Sequence, residues 1–357
     1  MNKKYDSVTD AYPMVSLVMA IRNEADFIAR SFGAVMNQTY PTERLEVIVA
    51  DGMSSDDTRS IVRDLSQARP EIRVSIVDNP AGYVAQGLNA ALAEACGEVV
   101  VRVDGHTIIA DDYVVECVDA LRRTKADNVG GRMTPVGQGG FAQSVALATT
   151  SRFGVGGAKF HYSPSEEFVD TVYLGAWPRA VFDWIGDFDE EQIRNQDDEF
   201  NYRLREHGGK VLLSPRIQSR YYNRSTPIAL FRQYFQYGYW KVRCIAKTPT
   251  TNAGQAVLSA AASSSHLRVG RPGHGVFGRR MDVDWRCDGI HLIESRGNVA
   301  DCRSSTELGH CWLPITFAML HMAYGSGFAW GLWKFRRHWK FSLGRKRKHR
   351  IPVKRCV

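Results

Sequence analysis

The chain has 357 residues, of which 44% are hydrophobic and 24% charged, and this composition excludes disorder as its main state. Its net charge of +8 is concentrated at one end, because residues 334–357 hold 11 of the 46 basic residues and no acidic residue. In the rest of the chain, acidic residues slightly outnumber basic ones. The charge pattern therefore argues against nucleic-acid binding and favours contact between this tail and anionic lipid headgroups.

The cysteine pattern favours a reducing, cytoplasmic location. The seven cysteines include no Cys-x-x-Cys pair, and no secretory signal precedes the first predicted strand. A zinc site is the weaker alternative, because the spacings of its candidate ligands match no common zinc template. These candidate ligands are Cys287, Cys302, Cys311, His291 and His310.

Residues 14–104 alternate short β-branched runs with helical stretches. Two of the predicted strands, residues 46–50 and 99–103, are apolar without alternation, which is typical of strands covered on both faces. We therefore predict an α/β domain with a mostly parallel sheet and helices on both faces.

Polar groups follow four of these predicted strands. In such sheets ligands bind beyond the carboxyl ends of the strands, so the combination predicts a cleft at that edge. Any one of these groups alone could equally be a helix cap. The groups are Arg22-Asn23-Glu24, Asp51-Gly52, Asp78-Asn79 and Asp104-Gly105-His106.

Asp104 and His106 form a candidate metal site. Two ligands one residue apart can chelate a divalent ion against a diphosphate, and the ion then stabilises the negative charge of that leaving group. The imidazole shifts the preference from magnesium toward manganese. The tripeptide Asp-Gly-His is common, so it needs the other motifs for support.

The middle of the chain contains a candidate base. We expect a mobile, loop-rich region around the glycines of residues 130–157, then a short apolar stretch at 171–176. Residues 197–207 follow as a predicted helix that ends at a glycine pair, with a strand at 210–213. Asp197 lies in its first turn, where the helix dipole favours the ionised carboxylate. Asp197 and Asp198 could deprotonate a hydroxyl group, and a solvated acidic helix start is the alternative.

Six runs carry a family resemblance, and they occur in this order: VSLVMAIRNEADFI, VADGMSSDDT, NPAGYVAQGLNAAL, VVVRVDGHT, YLGAWPRAVFDWIGDFDE and RNQDDEFNYRLREHGG. Together they resemble the family 2 glycosyltransferases with the GT-A fold, which is Rossmann-like. Within that family the chain resembles bacterial exopolysaccharide glucosyltransferases of the succinoglycan type. The resemblance covers residues 14–247, and an ordered series of motifs is more specific than any single one.

The resemblance implies a role for individual residues. Asp51 would contact the uracil edge of the nucleotide, Asp104 the ribose and metal, and His106 would stand where the family has a second metal-binding aspartate. Asp197 would be the catalytic base, although Gln196 stands where the family has glutamate. The implied nucleotide-sugar-binding set is Ala20, Arg22, Glu24, Asp51, Asn89 and Asp104.

A second implied set lies on the acceptor side and consists of Asp198, Gln236 and Trp240. Processive members carry Gln-x-x-Arg-Trp on a helix, and Tyr239 stands here in place of the arginine. Addition of a single sugar is therefore favoured over polymer synthesis.

The implied activity is that of an inverting glycosyltransferase. It would transfer a sugar, glucose by resemblance, from a UDP-sugar to a lipid-linked or saccharide acceptor in exopolysaccharide or cell-surface polysaccharide biosynthesis. The implied cofactor is a divalent cation, manganese or magnesium. A non-catalytic nucleotide-sugar binder or C-terminally damaged homologue is the alternative. A sugar-phosphate nucleotidyltransferase is disfavoured, because it would carry a glycine-rich phosphate loop where this chain has AIRNEAD.

The predicted order along the chain is an N-terminal tail (1–13), the catalytic domain (14–225), an amphipathic helix (226–250), an anomalous segment (251–311), a transmembrane helix (312–333) and a basic tail (334–357). The amphipathic helix either lies in a membrane interface or packs on the catalytic domain. Its apolar face comprises Ile228, Phe231, Phe235, Tyr239 and Val242.

The anomalous segment lacks helical and strand periodicity where the resemblance implies membrane spans. We interpret it as the product of two compensating reading-frame shifts over residues 253–311. Residues 311–333 contain no Asp, Glu, Lys or Arg, and this stretch is long enough for one membrane helix. A buried or surface-lying helix is the alternative. The basic tail predicts a cytoplasmic C-terminus at the inner membrane. A cytoplasmic active site then requires an even number of spans.

Overall fold

The computed structural model describes residues 5, 7–247 and 299–336. In these residues nine strands form one sheet with helices on both faces, so the predicted α/β class is confirmed. The strands are β1 (Val15–Ile21), β2 (Leu45–Asp51), β3 (Arg73–Asp78), β4 (Val99–Arg102), β5 (Thr107–Ile109), β6 (Asn128–Val136), β7 (Glu167–Phe168), β8 (Tyr173–Pro178) and β9 (Val211–Tyr222).

Ten α-helices lie in the same described residues. They are α1 (Ala25–Met36), α2 (Thr58–Gln67), α3 (Val84–Glu94), α4 (Tyr113–Thr124), α5 (Gly140–Thr149), α6 (Arg152–Val155), α7 (Ala180–Ile185), α8 (Gln196–Glu206), α9 (Pro227–Lys247) and α10 (Val299–Phe335). Short 3-10 turns cover Thr42–Arg44 and Lys159–His161.

The strand order is β3-β2-β1-β4-β8-β6-β9-β5, and β7 pairs with β9. Strands β1 to β4 are parallel, as predicted, whereas β8 runs antiparallel to β4 and β6. The carboxyl ends of the four parallel strands meet at one edge of the sheet, and that edge carries the polar groups identified above.

The alternation of side chains along β1 explains the two layers of the core. Leu17 and Met19 pack on one face of the sheet together with Phe32 of α1, and Val18 packs on the other face with Leu88 of α3. Successive strand residues point to opposite faces, so a continuous apolar run can bury both faces at once.

The glycine-rich region is a correction to the sequence prediction. Residues 128–149 are not a loop but contain β6 and α5, and β9 extends to Tyr222, well beyond the predicted end at residue 213. Glycine serves close packing here, since a Cβ atom at Gly131 would lie 1.8 Å from the carbonyl oxygen of Ile217. The glycine at this position therefore permits close contact between the neighbouring strands β6 and β9.

Helix α9 lies within the predicted helix at 226–250 and packs along α10. Val242 and Ile245 bury themselves against Phe328 and Phe335. The axes of α9 and α10 lie close together at Gly238. A Cβ atom at this position would lie 2.1 Å from the carbonyl oxygen of Tyr324. The middle and end of α9 therefore pack on the protein, whereas Ile228 and Phe231 near its start are exposed.

Residues 312–333 lie within α10, which confirms a helix at this position. Across residues 5, 7–247 and 299–336, however, no helix is both long enough and apolar enough to cross a membrane. The predicted transmembrane helix is corrected accordingly: glycines and the polar Thr316, His321 and Ser326 interrupt its apolar sequence. The anomalous segment up to residue 298 and the basic tail from residue 337 lie outside the described residues.

Candidate active site

A cleft of about 2390 Å³ lies at the carboxyl ends of the parallel strands and extends between α8, α9 and α10. Most of the sequence-predicted residues line it. They are Ala20, Arg22, Glu24, Asp104, His106, Asp197, Asp198 and Gln236. The cleft therefore brings the candidate metal ligands and the candidate base, which are more than 90 positions apart in the sequence, into one cavity.

Asp104 follows the end of β4 and is held by Arg102. The guanidinium donates two hydrogen bonds to the carboxylate, from Nε to Oδ1 at 2.9 Å and from Nη2 to Oδ2 at 3.2 Å. Burial alone would raise the pKa of the Asp104 carboxyl, but the charge and hydrogen bonds of Arg102, together with His106 and Arg194, outweigh it and hold the pKa below its ordinary value. The ionised form of Asp104, which suits a metal ligand, is therefore favoured.

His106 contacts Glu24 across a glycine. A Cβ atom at Gly105 would lie 3.0 Å from Cγ of Glu24, so glycine permits this close approach. Nδ1 of His106 lies 3.1 Å from Oε1 of Glu24. An ionised carboxylate only accepts, so this contact suits an imidazole that carries a hydrogen on Nδ1. A histidine oriented in this way by a carboxylate is typical of metal ligands.

The donor atoms at Asp104 and His106 fit a divalent ion that is shared with a diphosphate. In the described part of the chain, no group of three or more His, Cys, Asp or Glu side chains could hold a metal by itself. An ion held by these two residues would need further ligands, which phosphate oxygens and water would supply, as in sites built around a nucleotide.

Asp197 lies in the first turn of α8, as predicted. Burial raises the pKa of its carboxyl to about 6, and the neighbouring charge of Asp198 adds to this effect, while Arg102 opposes it. The backbone N–H of Asp198 donates to Oδ1 of Asp197 at 2.9 Å. A carboxyl with a pKa close to the working pH is suited to act as a general base.

Arg102 is the residue that connects the two candidate groups. It is buried, and the negative charges of Asp104 and Asp197 outweigh the effect of its burial and raise its pKa. The sequence carries a signal for this role, since an arginine inside the apolar run VVVRVD needs an anionic partner when it is buried. Arg102 was not among the site residues predicted from the sequence.

A second ion pair lies where α9 meets the start of α8. Nζ of Lys241 donates to Oδ2 of Asp198 at 2.7 Å and to the hydroxyl of Tyr202 at 2.6 Å. Nearby, Nε of Arg194 donates to Oε1 of Gln236 at 3.0 Å. Helix α9 therefore contacts the start of α8 through polar groups.

Two kinds of similarity place the chain among known proteins. A family model described as glycosyl transferase family 2 matches residues 16–172. The succinoglycan biosynthesis protein ExoA of Rhizobium meliloti is 32% identical over 224 residues, which cover 62% of this chain and 67% of that protein. This chain belongs to the family 2 glycosyltransferases. It is therefore a glycosyltransferase.

Two further relatives agree with this assignment. A dolichyl N-acetyl-alpha-D-glucosaminyl phosphate 3-beta-D-2,3-diacetamido-2,3-dideoxy-beta-D-glucuronosyltransferase of Methanococcus voltae is 26% identical over 239 residues, covering 65% of this chain and 74% of that protein. The mannosyltransferase PcManGT from Pyrobaculum calidifontis, solved with GDP-Man and Mn²⁺, superimposes with a TM-score of 0.59 at 19% identity over 93% of this chain and 91% of that one. The glycosyltransferase thus has the predicted GT-A fold.

Three of the predicted site residues lie outside the wall of the glycosyltransferase cleft. Asp51 ends β2 but is buried, and its carboxylate accepts from Oγ of Ser54 at 2.6 Å and from Arg59 at 3.5 Å. Trp240 packs against Phe335, with ring centroids 6.0 Å apart. Each of these side chains is occupied by protein contacts.

Asn89 is the third, and it joins α3 to the segment before α8. Its amide nitrogen donates to the carbonyl oxygen of Phe188 at 2.9 Å, and its amide oxygen accepts from the backbone N–H of Phe188 at 3.0 Å. The amide also donates to Glu190 at 3.0 Å. The polar atoms of Asn89 therefore hold a loop in place, and its contact with the nucleotide stays a prediction.

Several cleft residues were not predicted from the sequence. Nε2 of Gln233 donates to the hydroxyls of Tyr221 at 2.9 Å and Tyr237 at 2.8 Å, and the ring of Tyr221 contacts that of His106 edge-on at 5.4 Å. These contacts join α9 to the candidate metal ligand. Their spacing along α9 gives a weak signal, since residues 233, 237 and 241 fall on one helical face.

Proposed function

We propose that this glycosyltransferase transfers a single sugar, with inversion, from a UDP-sugar to a hydroxyl group of a lipid-linked or saccharide acceptor. The observation that carries the proposal is the presence of Asp104, His106 and Asp197 in one cleft, with Arg102 between the two carboxylates. One residue set then holds the diphosphate and another activates the acceptor.

Asp197 is the base in this proposal. Its carboxylate removes the proton from the acceptor hydroxyl as that oxygen attacks the anomeric carbon, while the bond to the diphosphate breaks on the opposite face. A direct displacement needs one base and no covalent intermediate, unlike the two carboxylates of retaining glycoside hydrolases. The raised pKa of Asp197 supports this role, because the group accepts a proton readily yet is mostly ionised at neutral pH.

The donor half binds and orients the nucleotide diphosphate. Asp104 and Nε2 of His106 would hold a manganese or magnesium ion, with Glu24 keeping the imidazole in the required tautomer. When bound, the ion would supply Lewis-acid stabilisation of the departing diphosphate. Ala20 and Arg22 at the end of β1 lie on the same side of the cleft and would contact the nucleoside.

The biological context of the proposal comes from similarity and from the surface of the C-terminal helices. ExoA, by its name, acts in succinoglycan biosynthesis, and we extend exopolysaccharide or cell-surface polysaccharide synthesis, with glucose as the sugar, to this chain. We further propose that it works at the cytoplasmic face of the inner membrane. Exposed aromatic side chains support this, since Trp312, Trp330 and Trp333 of α10 are each more than a third exposed, and the last two directly precede the basic tail in the sequence.

The test is release of UDP from UDP-sugars in the presence of Mn²⁺. We expect turnover by the wild-type protein, loss of turnover with retained UDP binding in Asp197→Asn, and weakened UDP binding in Asp104→Asn. Wild-type protein that binds UDP-sugars without releasing UDP would contradict the proposal and indicate a non-catalytic binder. With an acceptor sugar, the anomeric configuration of the product, read by NMR, tests inversion.

A further inference from the structure

Lys241 lies on α9 and reaches the helix that carries the proposed base. Its Nζ is 2.7 Å from Oδ2 of Asp198 and 2.6 Å from the hydroxyl of Tyr202, and it lies 4.8 Å from the centroid of the Tyr202 ring. The side chains of Lys241 and Asp198 are only 17% and 19% exposed. A lysine that is withdrawn from water to this extent needs such partners, so its position is well defined.

Asp198 directly follows Asp197 in the sequence, and its charge affects the base. An unpaired carboxylate beside Asp197 would disfavour the ionised form that takes a proton from the acceptor. The ion pair with Lys241 offsets this charge and draws the Asp198 carboxylate toward α9. Gln196 on the other side is neutral and makes a hydrogen bond from Nε2 to the carbonyl oxygen of Ile193 at 2.7 Å.

The other groups that face Asp197 come from two directions. Arg102 and Asp104 lie at the end of β4, where they pair with each other. Tyr237 and Cys244 of α9 are also close, and burial raises the pKa of both, so both are neutral near pH 7. The net charge around Asp197 therefore depends on Asp198 and on the cation that pairs with Asp198.

We propose that Lys241 is a positioning residue of the transfer reaction, which holds Asp198 in an ion pair and so keeps Asp197 available as the base. The inference rests on the proposed function, because it requires Asp197 to be the base. The inference goes beyond the proposed function because it assigns to α9 a part in catalysis that does not involve contact with the acceptor.

The test compares the pH dependence of kcat in matched variants. In Lys241→Met the charge of Asp198 is unopposed, so we expect the acid limb of the profile to move up by about one pH unit. In Asp198→Asn we expect the limb to move down. In the double variant both charges are absent, so its acid limb should lie between those of the two single variants and close to that of the wild type.

Two controls separate electrostatics from folding. Lys247 lies on the same helix, six residues further on, and forms an ion pair with Asp189. Lys247→Met removes a comparable pair about 9 Å away along the helix and should leave the acid limb unchanged. Lys241→Arg keeps the charge and should leave it close to that of the wild type.

An unshifted acid limb in Lys241→Met would overturn the proposal. So would a double variant that keeps the defect of Lys241→Met, because the lysine would then act through another contact. Asp197→Asn decides the underlying function separately: if that variant still turns over, the base assignment fails, whereas an inactive Asp197→Asn with an unshifted Lys241→Met rejects the role of Lys241 alone.

Discussion

The donor side of the cleft is built from strand ends, whereas the base side is built from two helices packed together. Asp104 follows a buried parallel strand and is fixed by Arg102, two residues away. Asp198 is fixed by Lys241, which is 43 residues away in the sequence and comes from α9. One side is therefore defined by local order along the chain, and the other by a tertiary contact.

This difference has a consequence for the kinetics of variants. Strand-end residues should govern the affinity for the nucleotide, because they bind the diphosphate in substrate and product alike. Base-side residues should govern kcat, because proton transfer occurs only as the bond to the acceptor forms. The variants below test this separation.

The largest effect is expected for Asp197→Asn. An amide cannot accept the proton, so kcat should fall by about 10²–10⁴-fold while the Kd for UDP stays unchanged. Steady-state turnover and calorimetric titration with UDP measure the two quantities. Asp183→Asn, which removes an exposed carboxylate on α7, is the control. If Asp197→Asn keeps wild-type turnover, another residue of the cleft must be the base.

Asp104→Asn is expected to act on binding. The amide still accepts a hydrogen bond from Arg102, but it lacks the charge that a divalent ion requires, so the Kd for UDP in the presence of Mn²⁺ should rise by about 10²-fold. Removing the ion with a chelator should weaken UDP binding in the wild type and change it little in the variant. If the chelator weakened UDP binding equally in both proteins, Asp104 would not be a metal ligand.

The sequence predicted the ends of strands and helices better than the contacts between them, and the reason is physical. A buried parallel strand can be recognised from its own residues, and so the ends of β1 and β4 were found. The partners of Asp51 and Asn89 were not, because Arg59 and Phe188 reach them only in the folded chain. Helical periodicity indicated a helix in the region of α9 but not the neighbour that its polar face contacts.

The pH dependence of kcat is the next effect in size. Asp197 must be ionised to accept a proton, and burial raises its pKa to about 6. The rate should therefore rise as the pH increases through about 6 and reach a plateau above 7, with a fall of about tenfold from pH 7 to pH 5. Initial rates at constant ionic strength measure the profile. An acid limb near pH 4 would mean that the carboxyl is solvated during turnover.

The same raised pKa makes a prediction about stability. An Asp whose pKa is higher in the folded state than in the unfolded state destabilises the folded protein when it is ionised. This destabilisation is lost as the pH falls from 7 toward 4. Asp197→Asn should therefore have a higher Tm than the wild type at pH 7.5, and the difference should shrink at pH 5. Thermal unfolding of the two proteins at both pH values measures it.

The smallest effect on catalysis is expected for Asn89→Ala, although the sequence resemblance places this residue in the nucleotide site. Its amide makes hydrogen bonds to Phe188 and Glu190, so the change should lower the free energy of unfolding by about 1–3 kcal/mol and leave the Kd for UDP unchanged. Gln86→Ala, on the same helix and with a more exposed bond to Glu190, should cost less. Urea unfolding and UDP titration measure both variants. A weakened Kd at unchanged stability would return Asn89 to the donor side and show that the loop opens when nucleotide binds.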